Sequence, residues 1–319
     1  MSITLTIDKN KKFDVVAIGA WTVFDHIAKI ERYPNDGDTI EIIDGNLEDV
    51  FFGDCSLNVA AVASTLGSKV AVASVVGSDF RTSGYEQHLL DLGVDVSGIH
   101  VVEDAKSGHS YIFFDDDGRG FCLSLRAASL VQNEVEPPRH ILEDCSVAVI
   151  NEAFSSYVLS SARAAKSAGA VIFSNGMLGT AEPEALDEFL QLVDVMIINE
   201  AEFKVLCEVK GVSAESIFAH SNLQAVIVTQ GSRGSTVLDV KGGTFIPAVP
   251  PRRVVDTTGA GDSFTGGVVS AVVRGLPLVE AVQIGASVSS IVIEEWGCQT
   301  NIPTWQQAVE RSNQHRVQI

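Results

Sequence analysis

Long apolar runs are missing from this sequence. Its most apolar stretch, residues 268–282, is interrupted by Arg274 and Glu280, whereas a membrane-spanning helix needs about twenty predominantly apolar residues. The opening MSITLTIDKNKKF places its charges after apolar residues that alternate with polar ones. That is the reverse of a secretory signal, so the expectation is a cytoplasmic protein with no membrane partner. Paired cysteines are missing too. The five present, at 55, 122, 145, 207 and 298, are odd in number and include no CxxC pair. They argue against a disulfide framework or a zinc site, and for buried free thiols. Positive charge is scarce: 22 Lys and Arg face 41 Asp and Glu, a net charge of −19. Such a chain repels a polyanion, so nucleic acid is not an expected partner. A small phosphorylated ligand remains compatible, provided backbone N–H groups or a metal ion supply local positive potential. Internal repeats, low-complexity segments and an obvious linker are also lacking.

What is present is material for a sizeable core: 46% of the 319 residues are hydrophobic and 20% are charged, a globular balance. Short apolar runs at 15–18, 69–75, 147–150, 171–173, 195–198 and 225–228 predict buried strands. Amphipathic segments at 57–66, 82–92, 157–167, 183–192 and 200–207 predict helices between them. This alternation is the signature of an α/β fold around a mostly parallel sheet. Residues 39–52 and 107–125 alternate apolar and polar positions between Gly and Asp, as antiparallel strands exposed on one side do. They predict a small β-sheet lid, formed by about 36–52 and 107–125, inserted in a single domain spanning 1–319. From Ala260 onward the pattern is mostly helical.

Residues 254–267 read VVDTTGAGDSFTGG. Asp256, Thr257 and Thr258 are N-cap types, and 260–274 has the pattern of a helix. Gly259 and Gly261 fall at its start, although a helical glycine costs about 1 kcal/mol relative to alanine. They strip side chains from N–H groups that no helical carbonyl satisfies, and the helix dipole favours an anion there. A transferring phosphoryl group suits such a nest, because its charge meets fixed donors. Asp262 stands one residue beyond. A carboxylate beside an anion site makes sense if a hydroxyl sits between them, losing its proton to the acid as it attacks phosphorus. A capped helix whose glycines merely allow close packing is the alternative for a lone GxG. Here the Asp-Thr-Thr run, the Gly-Ala-Gly turn, Asp262 and the Gly266–Gly267 pair occur together, and the combination favours chemistry.

VVDTTGAGDSFTGG resembles the C-terminal signature of the ribokinase-like (PfkB-type) carbohydrate kinase family. The resemblance implies a three-layer α/β/α sandwich with a mostly parallel central sheet and a small β-sheet lid. It also implies transfer of the γ-phosphoryl of ATP to a hydroxyl, with Asp262 as general base and Gly259, Ala260 and Gly261 as anion hole. ATP and Mg²⁺ are the implied cofactors; a monovalent cation is left open.

Four further stretches carry the same resemblance. VVAIGAWTVFDHI is similar to the family's first strand and the acid after it, which implies that Asp25 accepts hydrogen bonds from sugar hydroxyls; a solvated loop acid is the alternative. FFGDCSLNVAAVASTLG resembles the family's GGxxxNxA signature and implies substrate contacts from Gly53, Asp54 and Asn58. Asp54 replaces the second glycine, either adding a carboxylate to the sugar site or standing in at a turn. INEAEF resembles the family's NxxE motif: Asn199 and Glu202 share a helix face and are the implied metal residues, since Mg²⁺ takes oxygen ligands and keeps several waters. A helix start that simply favours amides and acids is the alternative. VIVTQGSRGS resembles a TxGxxG phosphate loop, so Thr229, Gly231 and Gly234, with Thr257, are implied to bind ATP. A tight glycine turn between two strands is the alternative there.

Besides Asp54, three stretches depart from the family pattern: Arg126 opens an RAAS stretch where Gly-Ala-Asn is frequent, Ser174 and Asn175 stand in place of an acid, and Ser287 replaces an Asn near adenine. The expected acceptor is a small unphosphorylated sugar or sugar acid. A nucleoside kinase, with Phe24, Phe51, Phe52 and Tyr111 as aromatic platform, and a non-catalytic sugar-binding relative are the other readings. The exposed lid face predicts a homodimer, because a small sheet is marginal alone.

Overall fold

The computed structural model describes residues 3–116, 119–151, 155–176 and 183–315. In chain order its strands begin with β1 (Phe13–Ile18), β2 (Phe24–Ile30), β3 (Ile42–Gly45), β4 (Phe51–Phe52), β5 (Val70–Gly77), β6 (Asp95–Val102) and β7 (His109–Phe114). They continue with β8 (Gly120–Leu125), β9 (Cys145–Asn151), β10 (Val171–Asn175), β11 (Val195–Asn199), β12 (Ala225–Thr229), β13 (Gly234–Asp239) and β14 (Gly242–Pro247). The α-helices are α1 (Cys55–Thr65), α2 (Asp79–Thr82), α3 (Tyr85–Asp91), α4 (Arg139–Leu142) and α5 (Ser156–Ser167), then α6 (Pro183–Leu192), α7 (Glu200–Lys210), α8 (Ala260–Val273), α9 (Leu278–Val292) and α10 (Trp305–Gln314).

A nine-stranded sheet runs in the order β14-β13-β12-β11-β10-β9-β1-β5-β6. Its strands from β12 to β6 are parallel, and β13 and β14 close one edge as antiparallel strands. Both faces are covered. In β1, Val15 and Ala17 join a core shared with α1, α3, α8 and α9, while Val16 and Ile18 join one shared with α4, α5, α6 and α7. Burial on both sides explains why these strands read as continuous apolar runs rather than alternating ones. The result is the three-layer α/β/α sandwich with a smaller sheet.

That smaller sheet has five strands, in the order β3-β2-β7-β8 with β4 also on β2. It contains a strand that the pattern did not announce. No strand was expected over residues 24–30, where a solvated loop acid was the alternative reading of Asp25, but they form β2, parallel to β7 with Asp25 opposite Ser110. The run FDHIAKI hides its alternation because six of its seven residues are buried. Strands β6, β13 and β14 were unannounced as well. The helix expected over 82–92 is two helices, broken at Gly84 with φ +86°. The cysteines are free, but only Cys145 and Cys298 are buried and Cys122 is exposed.

Gly266 and Gly267 serve helix packing. A Cβ on Gly266 would meet Val62 Cγ1 at 2.6 Å, and one on Gly267 would meet the Cα of Gly285 in α9 at 2.8 Å. Gly267→Ala would gain about 1 kcal/mol of helix propensity against about 1–3 kcal/mol lost to overpacking. Net destabilisation is expected, greater for Gly267→Leu, and a falling urea midpoint at unchanged m-value measures it.

Candidate active site

The parallel strands end on polar residues: Asn151, Asn175, Asn199 and Thr229 close β9, β10, β11 and β12. In open α/β sheets the carboxyl ends of strands are where ligands bind, and α8 starts against this row. Its N-cap is Gly259 in the left-handed region, φ +68°, and not one of the three cap-type residues before it. Asp256 instead shapes the turn, accepting from the N–H of Thr258 at 2.8 Å and of Gly297 at 2.9 Å. A side chain on Gly259 would collide with Cys298, whereas one on Gly261 would meet nothing within 4 Å. The N–H of Ala260 turns back to Thr257 and that of Ser263 to Gly259. Between them, the N–H groups of Gly261 and Asp262 have no acceptor among the described residues, and Gly261 is exposed. This is the open first turn that an anion requires.

Asp262 is 8% exposed. Asn58 Nδ2 donates to one of its oxygens at 2.9 Å and Asn175 Nδ2 to the other at 2.9 Å. Asn175 is itself fixed, donating to Asn151 at 2.9 Å and accepting from Thr265 at 2.9 Å. Asn151 and Thr265 were not singled out in the sequence, and Asn175 was read only as replacing an acid. An Asn closing a buried parallel strand was the available signal. Burial pushes the Asp262 carboxyl up, and the donors oppose that shift.

Asp25 lies beside it on β2, 5% exposed. Gly53 makes this possible, because a Cβ there would fall inside the Asp25 carboxyl group. Burial, then the charges of Asp262, Asp54 and Asp256, raises Asp25 to about 8. Asp54 has φ +74° and caps α1, accepting from the N–H of Ser56 at 2.8 Å and of Leu57 at 3.1 Å. Its second oxygen accepts from the N–H of Trp21 at 3.2 Å. Burial lifts Asp54 to about 6 against those donors. The residue thus holds a glycine-like backbone geometry and engages both oxygens within the protein. Trp21, at this edge of the site, carries the guanidinium of Arg126 4.3 Å above its ring.

The other expected residues gather at the ends of β11 and β12. Asn199 is opposite Thr229 in the sheet. Asn199 and Glu202 form a capping box on α7, the Glu202 N–H donating to Asn199 at 2.9 Å and the Asn199 N–H to Glu202 at 3.2 Å. A Cβ on Gly176, next to Asn175, would come within 3.4 Å of the Glu202 carboxylate, so Glu202 lies close to the end of β10. Gly231, φ +58°, faces open space, while Gly234 is required because a Cβ would strike the Ile246 carbonyl. Thr257 is exposed before the α8 turn. Among the described residues no three His, Cys, Asp or Glu side chains converge as a metal site. One amide and one carboxylate suit a hard ion that keeps most of its water. Ser287 is fully buried, its hydroxyl bonded to Gln283 in its own helix.

The acids leave a signature in stability. Unfolded, Asp25 titrates near 4; folded, near 8. Between those values the folded chain holds a proton that the unfolded chain has released, so stability falls as pH rises from about 4 to about 8. Asp25→Asn is expected to flatten this slope, raising Tm relative to the wild type at pH 8 and changing it little near pH 4. Thermal denaturation across that range measures it.

Comparison with known proteins agrees with this fold. Residues 24–305 match the pfkB family of carbohydrate kinases. The chain is 31% identical over 307 residues to a nucleoside kinase of Methanocaldococcus jannaschii, covering 96% of this chain and 99% of that protein. A ribokinase of Haemophilus influenzae is 27% identical over 297 residues, 90% of this chain and 94% of its own. The crystal structure of the M. jannaschii enzyme superimposes with a TM-score of 0.83 over 96% of this chain and 99% of that one, at 29% identity. A Burkholderia thailandensis nucleoside kinase in complex with inosine shares the fold, at TM-score 0.82 and 23% identity over 94% and 97%. No helix among the described residues is long and apolar enough to cross a membrane. With the signature, the sheet and the buried aspartate all in place, the chain belongs to the pfkB family of carbohydrate kinases and is an ATP-dependent phosphotransferase.

Proposed function

We propose that the chain phosphorylates a hydroxyl of a ribosyl-type acceptor, with nucleosides as the favoured class. One observation carries the chemistry: a buried carboxylate, Asp262, gripped on both oxygens at a helix start where the N–H groups of Gly261 and Asp262 have no acceptor among the described residues. Asp262 takes the proton of the attacking hydroxyl, and the turn of Gly259, Ala260 and Gly261 receives the charge growing on the transferred group. Asp25 and Asn58, on the acceptor side, orient the sugar. Thr229, Gly231, Gly234 and Thr257 lie toward ATP. Asn199 and Glu202 would hold Mg²⁺, which when bound with ATP neutralises phosphate charge. Positioning and electrostatics carry most of such a reaction.

The nucleoside reading is supported by the nucleoside kinases of two archaea among the relatives. The aromatic residues first expected to receive a base are largely engaged elsewhere: Phe52 stacks on Tyr85 at 4.2 Å and Tyr111 on His26 at 4.7 Å. Trp21 is the better surface for it. A sugar acid is the second reading, favoured by Arg126, a cation above Trp21 to which no described carboxylate is bridged. A non-catalytic role would leave the base and the open turn without purpose.

The smaller sheet would close over the acceptor, excluding water. Leu123 and Leu125, on one face of β8, are 59% and 61% exposed, opposite Tyr111 and His109. We propose that a second copy covers this face. A Leu123→Glu, Leu125→Glu double variant is expected to be monomeric by light scattering where the parent is dimeric; a monomeric parent would refute the pairing.

Asp262→Asn is expected to fold and bind ATP while kcat falls by about 10²–10⁴, the usual worth of a general base. ATP turnover against nucleosides, pentoses, hexoses and sugar acids, run alongside, tests the acceptor class.

A further inference from the structure

Gln299 lies outside every signature considered above, in a short segment between α9 and α10. Its side chain nevertheless reaches the centre of the molecule. Gln299 Nε2 donates to Asn58 Oδ1 at 2.9 Å and to the Tyr85 hydroxyl at 2.5 Å. Its Oε1 accepts from His88 Nε2 at 3.1 Å. The Tyr85 hydroxyl then donates to the Gly53 carbonyl at 2.6 Å. Every bond in this chain has a fixed direction, and the direction matters. Asn58 can present its NH₂ to Asp262 only if its oxygen faces a donor on the other side, and Gln299 is that donor. An acceptor in its place would favour the flipped amide, which turns an oxygen toward the carboxylate.

We infer that Gln299 is a positioning residue for phosphoryl transfer: through Asn58 it orients the general base, and through Tyr85 it anchors the Gly53 backbone against Asp25. The two arms reach different parts of the reaction. The Asn58 arm acts on the proton acceptor. The Tyr85 arm acts on the acceptor-side acid, because Gly53 is the residue whose missing side chain makes room for the Asp25 carboxyl. Tyr85 is fully buried and stacked on Phe52, so the arm also fastens strand β4 to helix α3. The titratable groups around the assembly are Asp25, Asp54, Asp256, Asp262, Tyr85, His88, Cys55 and Cys298. Burial holds Tyr85 and Cys298 well above their usual values, so neither ionises near neutrality.

The inference rests on Asp262 as the base, and the test separates the two. Kinetics of Gln299→Met, Gln299→Glu, Tyr85→Phe and Asp262→Asn are compared as pH profiles of kcat/KM, with folding verified by thermal denaturation. Gln299→Met removes the donor at similar volume, and Gln299→Glu keeps the shape but reverses the polarity toward Asn58. Both are expected to lower kcat by about 10²-fold, the order of loss from a misplaced reacting group. Both should also move the acidic limb to higher pH, because a carboxylate that loses a hydrogen bond to its charged form becomes a weaker acid. Tyr85→Phe is expected to raise the KM for the acceptor and leave the acidic limb in place. A limb unmoved in the folded Gln299 variants, or kcat near the parent value, overturns the positioning role. If one Gln299 variant does not fold, the other decides. Full turnover in Asp262→Asn would overturn the base assignment instead, whatever the Gln299 variants show.

Discussion

The molecule is organised around a carboxylate that is buried with amides, and not a cation, as its immediate partners. Removing an ionised group from water is costly unless its lone pairs are met, and here Asn58 and Asn175 meet one oxygen each. Those two donors come from opposite parts of the fold, α1 and the end of β10. They fix the helix start of α8 against the edge of the sheet. A salt bridge would have held Asp262 as well, but it would have made the aspartate a much weaker base. Amides hold the geometry and leave the basicity.

The same choice governs the wider site. Asp25, Asp54, Asp256 and Asp262 lie close enough for their charges to couple, in a chain already carrying −19. Positive potential for a phosphate is therefore left to oriented N–H groups, such as those at the α8 turn, or to a metal ion. The acids lower stability as pH rises from about 4 toward about 8, a case of stability yielding to function at a ligand site. Bound hydroxyls would relieve part of that strain by donating to Asp25.

Much of this was legible in the sequence, and the reasons are specific. The parallel strands announced themselves because burial on both faces makes them uniformly apolar. The VVDTTGAGDSFTGG turn stood out because glycine and acid conflict with an ordinary helix start. Strand β2 did not, since Asp25 and His26 interrupt its apolar pattern and are nonetheless buried. Asp54 was readable as a departure from GGxxxNxA, but only its φ of +74° and its cap on α1 show how it stands in for glycine. Asn175 looked like a lost acid; its contact with Asp262 depends on a pairing across 87 positions that no local pattern contains. The NxxE pair was visible as a motif, yet its capping box is equally what a helix start alone would produce.

The strap at residues 297–299 has a consequence for how the protein comes into being. Gly297 holds Asp256, Cys298 packs under Gly259, and Gln299 reaches Asn58 from 241 positions away. The two halves of the centre are therefore far apart in sequence and meet only in the folded chain. Contacts of such sequence separation form late and slow folding. The strands that end on Asn199 and Thr229 pair without this segment, whereas Asp256 and Asn58 each take a hydrogen bond from it. A change within this short segment is therefore felt at Asp256, Gly259 and Asn58 together, although none of the three is near it in sequence.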